Sequence, residues 1–290
     1  MQLAVNVVVL ASIYALISCG YVLIYKVSRV LNLAHGELMM LGAYLLLTTA
    51  ASVSSNPAVA LAVAALLSLS VGVLVYLMLM RRMTGESVLA AVLTTIALGI
   101  LIRGLVTLIW SAQQQYPAAA LKVANPSVEI FLGARISLMS LFLVATCAVV
   151  YSALFAFLKL TRWGIRMRAA GQNTLLAGQR GINLGGIYAM TWGISTFTGA
   201  LAGMLIALDS GLNNSMMMIG LKAFPAALVG GLDSLFGAVI GSLIVSFIEV
   251  TLIQHVDPLL SDVVPFLILI AMLIVRPWGI FGSREELDRV

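Results

Sequence analysis

The sequence is poor in charged residues. Only 9% of its 290 residues are Asp, Glu, Lys or Arg, whereas a soluble domain carries about 25%. Hydrophobic residues make up 62% of the chain. Such a chain has too few polar side chains to cover a water-facing surface. The composition therefore excludes a soluble globular domain and predicts a protein embedded in lipid.

Residues and motifs that support catalysis or metal binding are scarce as well. The two cysteines, Cys19 and Cys147, lie in apolar runs and indicate small buried side chains rather than a disulfide or metal site. Two histidines are too few for a histidine-rich metal site. The sequence has no Gly-x-x-x-x-Gly-Lys-Ser/Thr, His-Glu-x-x-His or Gly-x-Ser-x-Gly motif. We therefore expect no catalytic residue, no metal site and no cofactor in this chain, and we expect that it is not an enzyme.

What the sequence has in abundance is long uncharged runs. No charged residue occurs in 1–25, 38–80, 136–158 or 181–208. A helix needs about 20 mostly apolar residues to cross the hydrocarbon core, and backbone groups in lipid must be paired within the segment or in a closed barrel. The runs favour helices and predict an all-α polytopic membrane protein with about eight or nine transmembrane segments, some of them short or broken. The predicted segments are 4–25, 33–50, 57–80, 88–110, 136–158, 186–208, 216–232, 236–256 and 260–276.

The positions of the basic residues predict the orientation. Short cytoplasmic loops are rich in Lys and Arg. Arg81 and Arg82 lie in one connection, and a second basic connection covers 159–183. Two predicted helices separate these connections, so both lie on the same side, which we assign to the cytoplasm. The N-terminus is then outside and the C-terminus cytoplasmic, with 4–25 retained as a first helix because the first basic residue is Lys26.

A weak internal repeat divides the single permease domain predicted for 1–290. In its first unit, about 4–110, a long helix leads through a polar break into a short apolar segment. The same pattern recurs in the second unit, about 186–276. The units begin five crossings apart, so the second is inverted relative to the first. Paired interrupted segments in matching positions indicate the central pathway of a transporter.

The polar break of the first unit contains the first candidate pathway residues, Asn32, His35 and Glu37. An ionisable group at membrane depth is costly and is a functional candidate. One interpretation is a broken helix whose polar groups face the pathway. The alternative is that His35 and Glu37 cap a short helix near the cytoplasmic surface. The sequence does not decide between them.

The matching region of the second unit contributes Asn213, Asn214 and Lys222. Lys222 either attracts an anionic group of a solute or pairs with an acid, for which Asp209, Asp233 and Glu249 are the options. Elsewhere, Arg103 is interpreted as snorkelling from its helix to the interface.

The basic connection 159–183 is longer than a turn requires and contains a helix-compatible stretch at 166–177. It is either a cytoplasmic helix that docks on a partner protein or a basic loop on anionic lipid. The residues alone favour neither.

Five motifs, in order, give the chain a family resemblance. They are Tyr14-Ala-Leu-Ile17 with Gly20-Tyr21, Asn32-Leu-Ala-His-Gly-Glu37, Arg168-Ala-Ala through Gly181-Ile-Asn183, Gly220-Leu-Lys-Ala-Phe224 with Leu228-Val-Gly-Gly231, and Arg276-Pro-Trp-Gly-Ile-Phe-Gly282. Together they resemble those of permeases of the high-affinity branched-chain amino-acid ABC importers, over nearly the whole length. Two departures are Asp233, where a Gly or Asn is expected, and Pro225, which replaces a small residue.

The resemblance implies a bacterial inner-membrane importer that works by alternating access. Its partners would be a second related permease, two ATPase subunits that bind ATP-Mg, and a periplasmic substrate-binding protein. The connection 159–183 would then couple to an ATPase through Arg166, Arg168, Ala169, Gln172, Asn173, Leu176 and Gly181. The solute stays open between branched-chain amino acids and urea, short amides or aromatic carboxylates. A stand-alone secondary transporter or channel is the alternative function.

Overall fold

The computed structural model describes residues 1–131 and 133–283, which are mainly helical. Six helices in this part of the chain are long and apolar enough to cross a membrane. They are α1 (Gln2–Ser28), α3 (Pro57–Met78), α4 (Val88–Trp110), α6 (Leu138–Leu160), α9 (Leu184–Ser210) and α11 (Leu235–His255). The chain is therefore a multi-pass membrane protein.

Shorter helices lie at the other three predicted segments. These are α2 (His35–Ser52), α10 (Met217–Gly230) and α12 (Val264–Val275). At 1.5 Å per residue, the 14 residues of α10 extend only about 21 Å, less than the thickness of the hydrocarbon core. The expectation of short helices is thus met, while the number of complete crossings stays a prediction.

Polar side chains define where several helices begin. The side chain of Asn56 accepts a hydrogen bond from the Ala58 amide, and Pro57 follows at the first helical position of α3. Ser87, Ser137 and Ser234 cap α4, α6 and α11 in the same way. These are the N-cap residue types that satisfy free amides at a helix start, so the long apolar runs are interrupted at defined positions.

Helices α1 and α9 form the centre of the molecule. In their most apolar stretches, 78% of α1 and 89% of α9 is buried, against 28% or less for α3, α4 and α6. Helix α1 packs on α9 and α11, and α9 packs also on α2 and α3. The peripheral helices expose large apolar side chains such as Leu66, Ile100 and Leu108, as a lipid-facing or partner-facing surface requires.

The connection between α4 and α6 contains regular secondary structure. It contains a short helix α5 (Pro117–Ala120) and the first strand of a hairpin, β1 (Ser127–Phe131), which pairs antiparallel with β2 (Ala134–Ser137). Residues 136–137 are therefore strand, and α6 begins two residues later than expected. The alternation of polar and apolar residues in Ser127-Val128-Glu129-Ile130 is typical of a strand.

The basic connection contains two helices rather than one. Helix α7 (Arg162–Gln172) ends before Asn173, and α8 (Thr174–Gln179) begins after it. Asn173 has extended backbone angles, and its side chain accepts a hydrogen bond from the Leu176 amide at 3.0 Å. Asn173 thus caps α8, so the single stretch predicted at 166–177 is wrong at this residue.

The segment after α12 folds back onto the end of α10. The amides of Ile280 and Phe281 donate to the carbonyls of Val229 and Gly230 at 2.9 and 3.0 Å. Gly231 adopts a φ of +107°, and a side chain there would meet the backbone of Gly282. Two of the sequence motifs, 228–231 and 276–282, therefore meet in space and end α10 together.

Candidate functional site

The two short helices cross in close contact at Gly36 on α2 and Gly220 on α10. A Cβ atom on Gly36 would lie 2.7 Å from the carbonyl oxygen of Met217, and one on Gly220 would overlap the backbone of Gly36. Only glycine at both positions allows this approach. Since α2 begins at His35 and α10 at Met217, the N-terminal turns of both helices meet at the crossing.

His35 is enclosed by glycines behind this crossing. Its side chain is fully buried, and a Cβ on Gly20 of α1 or Gly199 of α9 would meet the imidazole ring. The Tyr21 ring lies edge-on to it, with centroids 4.7 Å apart, and the Tyr21 hydroxyl donates to the Gly220 carbonyl at 3.2 Å. The imidazole thus fills the space between α1, α2 and α9.

Glu37 lies on the opposite side of α2 and pairs with Arg103. The Arg103 Nη2 atom donates to Glu37 Oε1 at 2.9 Å. A Cβ on Gly99 would lie 3.1–3.3 Å from the Glu37 carboxyl group, so Gly99 leaves room for it. The carboxylate is also in the first turn of α2, where the helix dipole favours a negative charge.

The depth of this pair follows from α4. Gly99 is the twelfth of the 23 residues between Val88 and Trp110, and Arg103 lies one turn further. Glu37 therefore faces the middle of a spanning helix. The interpretation of His35 and Glu37 as caps near the surface is wrong, since α2 has no side-chain cap hydrogen bond. Arg103 is not a simple snorkelling residue either, because it has an acid partner at mid-helix.

Lys222 on α10 has two acid partners. Its Nζ atom lies 2.6 Å from Asp262 Oδ1 and 3.9 Å from Glu249 Oε1. The Tyr14 hydroxyl donates to the other Glu249 oxygen at 2.7 Å. Of the three acids expected from the sequence, only Glu249 is a partner, and Asp262 was missed. The Lys222 ammonium donates to Asp262 and lowers the pKa of that exposed carboxyl group below its usual range.

The asparagines have different positions. Asn214 bridges two helices, since its Nδ2 donates to Thr107 on α4 at 2.8 Å and its Oδ1 accepts from Tyr44 on α2 at 3.1 Å. Asn213 accepts only a local bond from the Ser215 hydroxyl. Asn32 is buried in the turn before α2 and accepts from the Ala34 amide. Asn214 therefore joins α2 to α4, the two helices that carry Glu37 and Arg103.

The sequence contains a signal for the Arg103–Glu37 pair. Each is the only Asp, Glu, Lys or Arg of its helix, and two single opposite charges on apolar helices favour pairing in lipid. Within the described residues, no group of three or more His, Cys, Asp or Glu side chains could hold a metal ion.

The predicted coupling residues are presented by α7, α8 and the turn after them. Arg166, Arg168, Gln172 and Asn173 are exposed. Arg166 lies over the Trp163 ring, with the guanidinium carbon 6.0 Å from the centroid, and Leu176 is 56% exposed. Ala169 is half-buried, and Gly181 adopts a φ of +80° in the turn before α9.

Helix α7 is fixed to the end of α1. A side chain at Gly171 would meet the carbonyl oxygen of Lys26, and an Arg29 guanidinium nitrogen donates to the Gly171 carbonyl at 3.3 Å. The Lys26 ammonium donates in turn to the Asp233 carbonyl at 2.9 Å. Since α1 also carries Tyr21, this one helix contacts both α7 and the α2–α10 crossing.

Comparison with known proteins gives a consistent result. A family model described as "Branched-chain amino acid transport system / permease component" matches residues 3–273. The chain is 29% identical over its full length, and 97% of the relative, to the high-affinity branched-chain amino acid transport system permease protein LivH of Escherichia coli K12. It is also 29% identical to BraD of Pseudomonas aeruginosa, a permease protein of the same description, over the whole chain and 98% of the relative. A probable branched-chain amino acid transport permease of Methanocaldococcus jannaschii is 25% identical over 95% of the chain and 90% of the relative. No solved structure is a significant match.

Proposed function

Since the chain belongs to the family of branched-chain amino acid transport permeases, we propose that it is the membrane-spanning permease subunit of an ATP-driven importer. The family match over residues 3–273 carries this proposal. Relatives from two bacteria are described as parts of high-affinity branched-chain amino acid transport systems. We accordingly propose branched-chain amino acids as the solute and the bacterial inner membrane as the location.

The proposed partners are a second related permease, two ATPase subunits and a periplasmic binding protein. ATP and magnesium would bind to the ATPase subunits. The exposed mixture of basic and apolar side chains on α7 and α8 supports the proposal that this segment docks on an ATPase. The proposed orientation puts it in the cytoplasm together with Arg81 and Arg82, with the N-terminus outside and the C-terminus inside.

Helix packing supports the proposed inverted repeat. In the proposed repeat, α1, α2 and α3 correspond to α9, α10 and α11. The α1–α11 contact then corresponds to the α9–α3 contact, and the α2–α3 contact corresponds to the α10–α11 contact. Helices α1 and α9 are both 27 residues long. Each of the corresponding helices α1 and α9 contacts the other, and so do α2 and α10. The repeat units would therefore be α1–α4 and α9–α12, related by an axis near the Gly36–Gly220 crossing.

Alternating access gives these contacts a mechanism. Closure of the ATPase subunits would move α7, which is fixed to the end of α1, and α1 would shift the crossing of the two short helices. The permease would alternate between inward-facing and outward-facing states. The solute shifts the equilibrium between these states only through its different affinities for them. A binding protein that selects the solute leaves the permease free to hold it weakly.

A purification and transport experiment tests this function. Tagged protein, extracted in mild detergent, is expected to bring down a second permease and two ATPase subunits, and the complex in vesicles should take up leucine only with ATP and the binding protein. Arg166→Glu combined with Arg168→Glu should release the ATPase subunits, because both charges are exposed on α7. Arg82→Glu, an exposed charge in another basic turn, is the matched control and should keep them.

The alternative function, a stand-alone secondary transporter or channel, predicts different results. The chain would purify alone and move solute in vesicles without ATP. Leucine uptake driven by a proton or sodium gradient would contradict the importer proposal.

A further inference from the structure

The Arg103–Glu37 pair is unusual for its exposure. The Arg103 side chain is 44% exposed and that of Glu37 is 12% exposed, although Arg103 lies only one turn past the middle of α4 and Glu37 faces that middle from α2. A charged group facing hydrocarbon at that depth is costly, and such groups face a cavity or a protein surface instead. This face of α2 and α4 is therefore turned away from lipid in the assembled transporter.

The pair also leaves much of its hydrogen-bonding capacity unused. A guanidinium group has five N–H donors, and a carboxylate has about four acceptor positions. In the part of the chain that the structure describes, one hydrogen bond joins Arg103 to Glu37, and no other bond from a side chain reaches either charged group. Each group can therefore accept a second partner without first losing the one it has.

The wall beside the pair is apolar. A small cavity of about 40 Å³ is lined by Glu37 and Arg103 together with Leu33, Met217, Met218 and Leu221. Methionine side chains are flexible and adapt to aliphatic groups of different shape. The cavity is far smaller than the roughly 300 Å³ or more of a typical preformed ligand pocket. It can receive a solute only when α2 and α10 separate from α4, as in a transient site on a pathway.

We propose that Arg103, Glu37 and this methionine-lined wall form a transient site for a zwitterionic aliphatic amino acid. Arg103 binds the α-carboxylate, for which the planar guanidinium is suited. Glu37 binds the α-ammonium group, and the aliphatic side chain lies against Met217, Met218 and Leu221. Without solute, the two charges neutralise each other, so the empty site carries no unpaired charge in the membrane.

The second charge cluster does not have these properties. Lys222 has two acid partners, and Glu249 is nearly buried and bonded to Tyr14. A solute would have to displace existing bonds there. A solute with one charge, such as a carboxylate, or with none, such as urea, would satisfy at most one side of the Arg103–Glu37 pair and leave the other without a partner. This inference rests on the proposed function and assigns a binding site to its solute.

Protection from chemical labelling tests the site directly in the assembled importer. Met218→Cys is introduced into a chain in which Cys147 is replaced by Ala, and its reaction with a small water-soluble thiol reagent is followed without the binding protein. L-leucine at millimolar concentration is expected to slow labelling, whereas isovalerate and isopentylamine, which each lack one of the two charges, are not. Arg103→Gln should remove the protection. Equal protection by all three compounds, or none by leucine, would overturn the proposal.

Transport measurements separate this inference from the proposed function. Glu37→Gln and Arg103→Gln are each expected to lower leucine uptake per ATP hydrolysed by about tenfold to a hundredfold, as for loss of one hydrogen bond to a charged group. ATP hydrolysis stimulated by the loaded binding protein should continue. Glu86→Gln and Arg82→Gln, exposed charges in the α3–α4 turn, are the matched controls.

A charge-swapped variant distinguishes binding from structural support. If the pair only holds α2 against α4, Glu37→Arg combined with Arg103→Glu should restore uptake, and that result would refute the site. Continued loss of uptake in a complex that assembles normally supports it. Wild-type complex that shows no ATP-dependent uptake would refute the importer itself, whereas normal uptake in all variants would refute only the site.

Discussion

Helix α2 carries an acid, Glu37, and helix α10 carries a base, Lys222, and each is paired with a charge from another part of the chain. Glu37 has one partner, Arg103, whose side chain is 44% exposed. Lys222 has two acid partners, and one of them, Glu249, is held by Tyr14 as well.

This difference separates two uses of an ion pair in a membrane protein. A buried charge that loses its partner is strongly destabilising, so the tightly bonded cluster around Lys222 holds α10 to α1 and α11. The Glu37–Arg103 pair is open on one side and can exchange partners. We therefore expect substitutions around Lys222 to lower stability more than transport, and substitutions of Glu37 or Arg103 to lower transport more than stability.

The largest effect should come from breaking the contact between the two helices. Gly220→Val places a side chain against the backbone of Gly36, which cannot move away by rotation. We expect a loss in the free energy of unfolding of about 3 kcal/mol or more, as for severe overpacking, measured as thermal unfolding in detergent. Gly104→Val is the control because no atom lies within 4 Å of its added Cβ. Equal stability of the two variants would show that the helices do not cross at Gly220.

A second pair of substitutions compares the charge clusters. Glu249→Ala leaves the buried Tyr14 hydroxyl without its acceptor and removes one of the two acid partners of Lys222, and should cost about 2 kcal/mol of unfolding free energy. Glu37→Ala should cost about 1 kcal/mol, because Arg103 can turn towards the exposed side. The same unfolding assay measures both. The opposite order of stability would invert the roles assigned to the two clusters.

The smallest effect concerns the outer partner of Lys222. The pKa of Asp262 is lowered by the Lys222 ammonium group, so its contribution to stability is present above the ordinary carboxyl pKa of about 3.9 and is lost as the pH falls below it. Thermal unfolding followed from about pH 6 to pH 3 should fall more steeply in the wild type than in Asp262→Asn. Parallel curves would mean that this exposed pair makes no contribution to stability.

The helices were largely predictable because the signal for them is local. Long uncharged runs and caps such as Asn56-Pro57 lie within a few residues of the structure that they define. The break at Asn173 has a local signal too, since asparagine is a favoured N-cap, but the helix-forming residues on both sides of it favour one continuous helix.

The site was only partly predictable because its contacts are not local. Glu37 and Arg103 are 66 positions apart in sequence, and Lys222 and Asp262 belong to different elements. The polar residues around 32–37 could be identified as candidates by their rarity in an apolar chain. Which of them packs between helices, as His35 does, and which faces the cavity, as Glu37 does, depends on the side of α2 that each occupies.

The way in which the last described segment closes α10 has a consequence for biogenesis. Residues 280–283 bond to Val229, Gly230 and Asp233, yet the ribosome makes them after every helix that they contact. Until residues 280–283 have been made, the carbonyl groups of Val229 and Gly230 lack these hydrogen-bond donors, and Asp233 lacks its bonds from Ser283. A nascent chain therefore completes this end of α10 only after α12 has been made, and a product that stops before residue 280 would present an unfinished surface to membrane quality control.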